Sequence, residues 1–352
     1  MYFEKIIHYM RTKLRKFTLS LCLLCFATLV YADYQEGAQA FNRGDYATAL
    51  NSWRQAALYG EPKAALEVGN IYFEGLGVKP NRKQAAEWYR KAGQQGESLA
   101  QLKLADMYRR GIGVAQDDDQ AMDWYRKAAE QGVAAAEYRI GMDFYDGLSS
   151  GSTQDYQKAW TWFNKAALQG YADAQYSLGI MYKNGQGVDQ DLEASNQWYL
   201  KAATQAHVEA QLALAANALA LKDKGIGCKQ ALSWYKKAAK QCNATAQYQL
   251  ASFYKNGECL SKDYEDAVDW YLKAANQGHA QAQLMLGRMY KSGWGVKKNP
   301  LEALKWSLIA QKSGAVKADK LILASEPLTK AERSKLQAQV EKWKVKPHSC
   351  GS

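Results

Sequence analysis

A short aromatic string returns through this chain at nearly constant steps, and that constrains its fold more than any other feature. W-Y-R-K-A-A runs from Trp124 to Ala129, with close copies at Trp88, Trp162, Trp198, Trp234 and Trp270. Weaker copies begin at Trp53 and Trp306, and from Trp53 onward the steps are 35, 36, 38, 36, 36, 36 and 36 residues. A fixed period in this range belongs to stacked supersecondary units, each touching mainly its neighbours. It overrides the two or three globular domains that 352 residues would otherwise suggest. With 47% apolar residues and eleven Trp, the chain has material for a continuous core.

Each unit reads as helix A, a Gly-containing loop, then helix B. In the third, Ala121, Trp124, Tyr125 and Ala128 fall at i, i+3, i+4 and i+7, one apolar stripe of a helix. Helix A of the fifth repeats the pattern with Ala174, Leu178, Met181 and Tyr182. Small residues such as Ala128 and Gly179 let helices approach, and Trp and Tyr are expected to fill the gaps between them. The loops carry Gly75/Gly77, Gly111/Gly113, Gly185/Gly187 and Gly293/Gly295, read as left-handed stops to helix A. A phosphate-cradling loop would need a preceding strand, and none is visible. Asp117 to Asp119 suit the positive end of helix B, and the ligand spacing of a calcium loop is absent.

The boundaries follow: a first hairpin over 33–62, seven fuller ones over 63–314, closing helices over 315–343, and a tail over 344–352. The fourth unit has an enlarged loop, Asp146 to Gln157. The sixth has Leu221 where a loop Gly should fall and Gly225/Gly227 later, so its helix A is expected to run one turn further. In the seventh, Cys259 stands at the second loop Gly. Thr329 with Glu332 is a capping box, and Leu328 to Trp343 reads as a helix covering the last unit.

These residues resemble the Sel-1-like repeat family, helical relatives of the tetratricopeptide repeat. The family pattern A-x-x-x-L-G-x-x-Y-x-x-G-x-G-V is met at Ala174 to Val188, continues through Trp198 to Ala203, and is met again at Ala282 to Val296. The resemblance covers about residues 34–315. It implies an all-α fold, a right-handed α-α superhelix (solenoid) of about eight helix-turn-helix repeats closed by a C-terminal helix. It also implies an adaptor that displays partner-binding surfaces, in envelope, signalling or host-facing complexes.

The N-terminus reads as a leader. Arg11, Lys13, Arg15 and Lys16 precede an apolar run from Leu19 to Tyr31, and Val30-Tyr31-Ala32 fits a cleavage site, giving a signal peptide over 1–32 and a periplasmic or secreted product. The run is short for a membrane span, so no transmembrane segment is expected after cleavage. Removing five Lys/Arg and one Glu leaves 41 basic and 34 acidic side chains, a net +7. That excess favours anionic partners, but no nucleic-acid module is recognisable.

Four cysteines follow the leader, and in an exported chain they are expected to be oxidised. Cys228 and Cys259 fall near the A-to-B ends of adjacent units, while Cys242 falls at the opposite end, too far along a helix for a disulfide. The expected pair is Cys228–Cys259, with Cys242–Cys350 as a second pairing through the tail.

Neither a G-x-S-x-G elbow nor H-E-x-x-H is present, and His207 and His279 lie in turns between units. The chain is therefore read as a non-enzyme without cofactor or metal. The expected partner surface is the concave face lined by the A helices. There Phe73, Arg109, Tyr145, Lys183, Lys255 and Lys291 form a column, with Arg288 beside it. Cations among aromatics suit an acidic peptide segment of a protein partner, or alternatively peptidoglycan or another anionic envelope glycan.

Overall fold

A computed structural model describes residues 30–147, 153–221, 224–314 and 329–346, and in these it is helical without a strand. The elements are α1 (residues 30–42), α2 (Tyr46–Leu58), α3 (Pro62–Glu74), α4 (Arg82–Gln94), α5 (Ser98–Arg110), α6 (Asp118–Glu130), α7 (Ala134–Asp146) and α8 (Tyr156–Leu168). Then come α9 (Ala172–Asn184), α10 (Leu192–Thr204), α11 (Val208–Leu219), α12 (Lys224–Lys240), α13 (Ala244–Asn256), α14 (Tyr264–Asn276), α15 (Ala280–Ser292), α16 (Pro300–Lys312) and α17 (Lys330–Lys342). Odd-numbered elements up to α15 are the A helices and the even ones the B helices. The chain divides into two compact units, one reaching Ala174 and including Gln186–Val188, the other taking Gln175–Gly185 and everything from Asp189.

The residue that locks most hairpins is the aromatic after the repeated Trp. In the first unit Tyr89, Tyr125 and Phe163 are buried; in the second Tyr199, Tyr235 and Tyr271 are. Each faces a small residue of its own helix A. A Cβ on Gly69, Gly141 or Gly179 would come within 2.5–2.6 Å of the Tyr89, Phe163 or Tyr199 ring, so the close approach is what glycine provides there. The indoles meet the expectation only in part: Trp53, Trp124 and Trp306 are buried. Trp88, Trp162, Trp198, Trp234 and Trp270 are only half-buried, and the lysine three positions on lies over each at 3.8–5.1 Å. At these five positions the indole covers the seam between hairpins while the ring of the next residue enters it.

A second device is polar and buried. Near the start of α5, α11 and α15 a glutamine side chain donates to a carbonyl of the preceding B helix: Gln101 to Gly93 at 2.9 Å, Gln211 to Ala203 at 3.1 Å, Gln283 to Ala275 at 3.0 Å. In Gln101, Gln211 and Gln247 the carboxamide oxygen accepts from the glutamine of the next turn, Gln131 to Gln101 and Gln277 to Gln247 at 2.8 Å and Gln241 to Gln211 at 3.0 Å, whereas the buried Gln283 Oε1 has no partner among the described residues. The rungs give buried carboxamides partners within the seam, on carbonyls that also accept a backbone N–H of the turn. Replacing Gln247 by Leu removes both links, while the Ala239 carbonyl keeps the Cys242 N–H, so the expected loss is about 1–2 kcal/mol in urea unfolding.

The fourth hairpin departs from this ladder. Glu137 takes the glutamine's place, is buried, and accepts from Gln169 at 2.6 Å. Burial raises its pKa above 4.5, against the opposing pull of Lys165 and the Gln169 bond. The folded chain thus holds this proton more tightly than the unfolded one. Its stabilising contribution is complete below the unfolded pKa and is lost as pH rises through the raised folded value. Glu137→Gln is expected to stabilise the chain by about 1 kcal/mol at pH 7 and by less near pH 4, read from urea midpoints at the two pH values.

The loops meet expectation. Gly75, Gly111, Gly147, Gly257 and Gly293 end their A helices in the left-handed region, and the side chains of Asn81, Asp117, Asp155, Asp191, Asp263 and Asn299 cap the following B helices. The second loop glycine has a sharper reason. A Cβ on Gly113, Gly187 or Gly295 would lie 2.1–2.4 Å from the carbonyl oxygen of Arg82, Tyr156 or Tyr264, in each case the residue 31 positions earlier. Cys259 occupies this site in its hairpin with φ of 61°, and the residue 31 positions earlier is Cys228. The two are joined, with Cα atoms 4.9 Å apart. The expected disulfide therefore sits where the other hairpins bring backbone against backbone. Cys350, the expected partner of Cys242, lies outside the described residues, as do residues 1–29 of the expected leader.

The sixth hairpin differs from its reading. Its helix A does not lengthen: α11 stops at Leu219, and the extra turn belongs to α12, which starts at Lys224. Gly227 is helical, and a Cβ there would lie 2.4 Å from the Ala218 carbonyl oxygen. Glycine thus serves close helix contact here rather than a loop. At the C-terminus the Thr329–Glu332 capping box is formed, and Leu336 and Val340 of α17 are buried, Val340 in the same cluster as Trp306 and Ile309. Lys312 Nζ reaches the Val340 and Glu341 carbonyls at 3.4 Å, and the Lys346 N–H donates to Asn276 O at 2.8 Å.

Candidate interaction surface

The column expected on the A helices is held in place to different degrees. In the first unit Phe73 is half-buried, with the Arg82 guanidinium 3.9 Å above its ring. Tyr145 donates its hydroxyl to Gln186 Oε1 at 3.0 Å and packs edge-on to Tyr156. Arg109 is exposed but engaged. Its Nε donates to the Tyr125 hydroxyl at 3.1 Å, and its guanidinium lies 3.7 Å from Asp106. Arg139 of the next hairpin approaches the same carboxylate at 3.8 Å. The Tyr125 hydroxyl donates to Asp106 at 2.5 Å, and burial followed by that bond pushes its pKa far up, so it stays a donor.

In the second unit Lys183 is exposed, while Lys255 is half-buried with its ammonium 3.9 Å from Met285 Sδ. Arg288 and Lys291 are half-buried and engaged. Arg109, Lys183, Lys255 and Lys291 all stand in the last turn of an A helix, where a cation also offsets the helix dipole. Phe73 and Tyr145 are thus joined to neighbouring side chains, and Arg109 and Lys183 are the column's most solvent-accessible cations.

The turn histidines have structural work. His207 and His279 each accept a backbone N–H through Nδ1, from Ala210 and Ala282 at 3.2 Å, and each stacks on a tyrosine, Tyr176 or Tyr248. Burial lowers the pKa of His279, in keeping with an acceptor nitrogen. Among the described residues no group of three or more His, Cys, Asp or Glu could hold a metal ion, and no helix is long and apolar enough to cross a membrane.

Sequence reading missed the glutamine ladder. Its signal was present as a recurring Ala-Gln near the start of five A helices, at Gln101, Gln175, Gln211, Gln247 and Gln283, paired with a Gln that opens the turn between units.

Tandem helical hairpins with buried aromatic locks define a helix-turn-helix repeat protein of the solenoid class. The Sel1 repeat model matches seven successive segments, 62–97, 98–133, 134–171, 172–207, 208–241, 244–279 and 280–310, and the chain belongs to the Sel1 repeat family. Repeats of this family form a non-catalytic scaffold that generally mediates protein–protein contact. The structure is similar to c5321, a protective antigen of uropathogenic Escherichia coli with an SLR fold. The TM-score is 0.73 at 32% identity, covering 89% of this chain and 68% of that one. It is also similar to a Sel1 repeat protein from Oxalobacter formigenes, with TM-score 0.68 at 30% identity, covering 88% and 91%. No curated protein sequence is significantly similar to this chain.

Proposed function

We propose that this chain is an exported scaffold that holds a protein partner in the envelope or beyond it, with the A-helix cations among its contacts. The observation that carries the scaffold reading is the run of seven Sel1 repeats over 62–310. Export is supported by the basic stretch and apolar run that end at Val30-Tyr31-Ala32. Arg109 and Lys183 supply accessible cations for an acidic peptide segment of the partner. Exchanging Arg109, Lys183 and Lys255 together for Glu should weaken capture of the partner at least tenfold, measured by affinity capture of the chain from its own cells followed by titration of the recovered protein. Unchanged capture would remove these cations from the reading.

One observation favours a second reading, binding of an anionic envelope glycan. Trp294 is 42% exposed and stacks on Tyr264 with centroids 5.6 Å apart and an interplanar angle of 12°. Lys262 lies 5.9 Å from the Tyr264 ring. Sedimentation with purified cell wall, with and without Trp294→Ala, separates this reading from the first.

A further inference from the structure

The second unit carries a groove unlike the rest of its charged surface. It lies between α10, α11 and α12 and encloses about 640 Å³. Leu192, Leu200 and Leu221 line it while remaining 60%, 47% and 45% exposed, and Leu214 and Trp234 complete its apolar wall. At the place of Leu200 in their own B helices, Tyr89, Tyr125 and Tyr235 are followed by Arg90, Arg126 and Lys236, Phe163 by Asn164, and Tyr271 by Leu272, which is half-buried against the core. This hairpin has exchanged a cation for a leucine and left it in solvent.

Among the described residues the polar part of the lining is carboxamide, Asn196, Asn217 and Gln230 among others, with Glu193 as the one charged side chain. Asn217 Nδ2 donates to Asn196 Oδ1 at 2.8 Å, so amides from α10 and α11 meet across the groove. Carboxamides both donate and accept, which matches a peptide backbone, whose N–H and C=O must be satisfied once out of water. Leucines eight positions apart on α10 lie about 12 Å apart along the helix axis. The first and fifth residues of an extended segment lie about 13 Å apart, with alternate side chains on one side.

We propose that this groove docks an uncharged, extended segment of the partner protein, with apolar side chains at alternate positions. The inference rests on the scaffold reading and adds a site and a chemistry distinct from the A-helix cations. A probe is the fluorescein-labelled pentapeptide Leu-Ser-Leu-Thr-Leu, followed by anisotropy, beside versions carrying Glu or Lys at the second and fourth positions. The neutral peptide should bind at least tenfold more tightly than either charged one. L200D/L221D should weaken it at least tenfold while leaving the urea midpoint unchanged, since both side chains are exposed. The glutamate variant of Arg109, Lys183 and Lys255 should bind it as the unaltered chain does. Equal binding of all three peptides, or undiminished binding by L200D/L221D, overturns the groove assignment. If the chain nevertheless captures its protein partner, the scaffold reading survives alone. A concentration-dependent dimer in sedimentation that L200D/L221D abolishes would make the groove a contact between copies and overturn the peptide assignment.

Discussion

Tyr271→Ala is expected to destabilise the chain by about 3–5 kcal/mol, whereas Tyr271→Phe costs no more than about 1 kcal/mol. The ring has no exposed surface and lies in the cluster that holds Ala251, so truncation opens a cavity between α13 and α14. Its hydroxyl pairs with Ser252 Oγ, 3.0 Å away, and burial pushes its pKa up to about 12. Phe163 fills the same place in the fourth hairpin without a hydroxyl, which is why the aromatic ring and not its oxygen carries the energy. Urea unfolding followed by far-ultraviolet circular dichroism measures both variants. Equal losses would mean that the hydroxyl, not the packed ring, holds the hairpin.

Removing the Cys228–Cys259 bridge is the second large effect. It closes a loop with a sequence separation of 31, and loop-closure entropy puts its contribution at about 3–4 kcal/mol. The replacement at 259 matters because that residue has a φ of 61°. C228A/C259G restores the glycine that other hairpins carry there, and should be about 1 kcal/mol more stable than C228A/C259A. Urea midpoints of the two double variants, beside the oxidised chain, test both statements. Equal midpoints for all three would show that the bridge adds nothing and that the position tolerates a side chain.

The repeat period made the fold legible because each unit repeats one packing solution. Even the disulfide followed from placing Cys228 and Cys259 at the same end of adjacent hairpins. What sequence reading misjudged was how evenly the indoles are buried. Trp124 is buried as its stripe predicts, but Trp198 and Trp270 stay at the seam while Tyr199 and Tyr271 go inside. It also misplaced the extra turn of the sixth hairpin. Gly225 and Gly227 looked like a delayed loop, yet Gly227 allows α12 to touch the Ala218 carbonyl. The interaction surface was less legible. Whether Arg109 faces a partner or Asp106 and Tyr125 depends on side chains that periodicity does not describe. The neutral groove needed the exposure of Leu192, Leu200 and Leu221 to be seen.

The central claim is that hairpins of near-constant size, locked by a buried ring, repeat along the chain. Backbone hydrogen–deuterium exchange, resolved by peptide mass spectrometry, tests it directly. Protection should peak in paired A and B helices and fall at each Gly-containing loop, returning every 36 residues or so from Pro62 to Lys312. Protection without that period, or a single slow-exchanging block flanked by fast exchange, would contradict it.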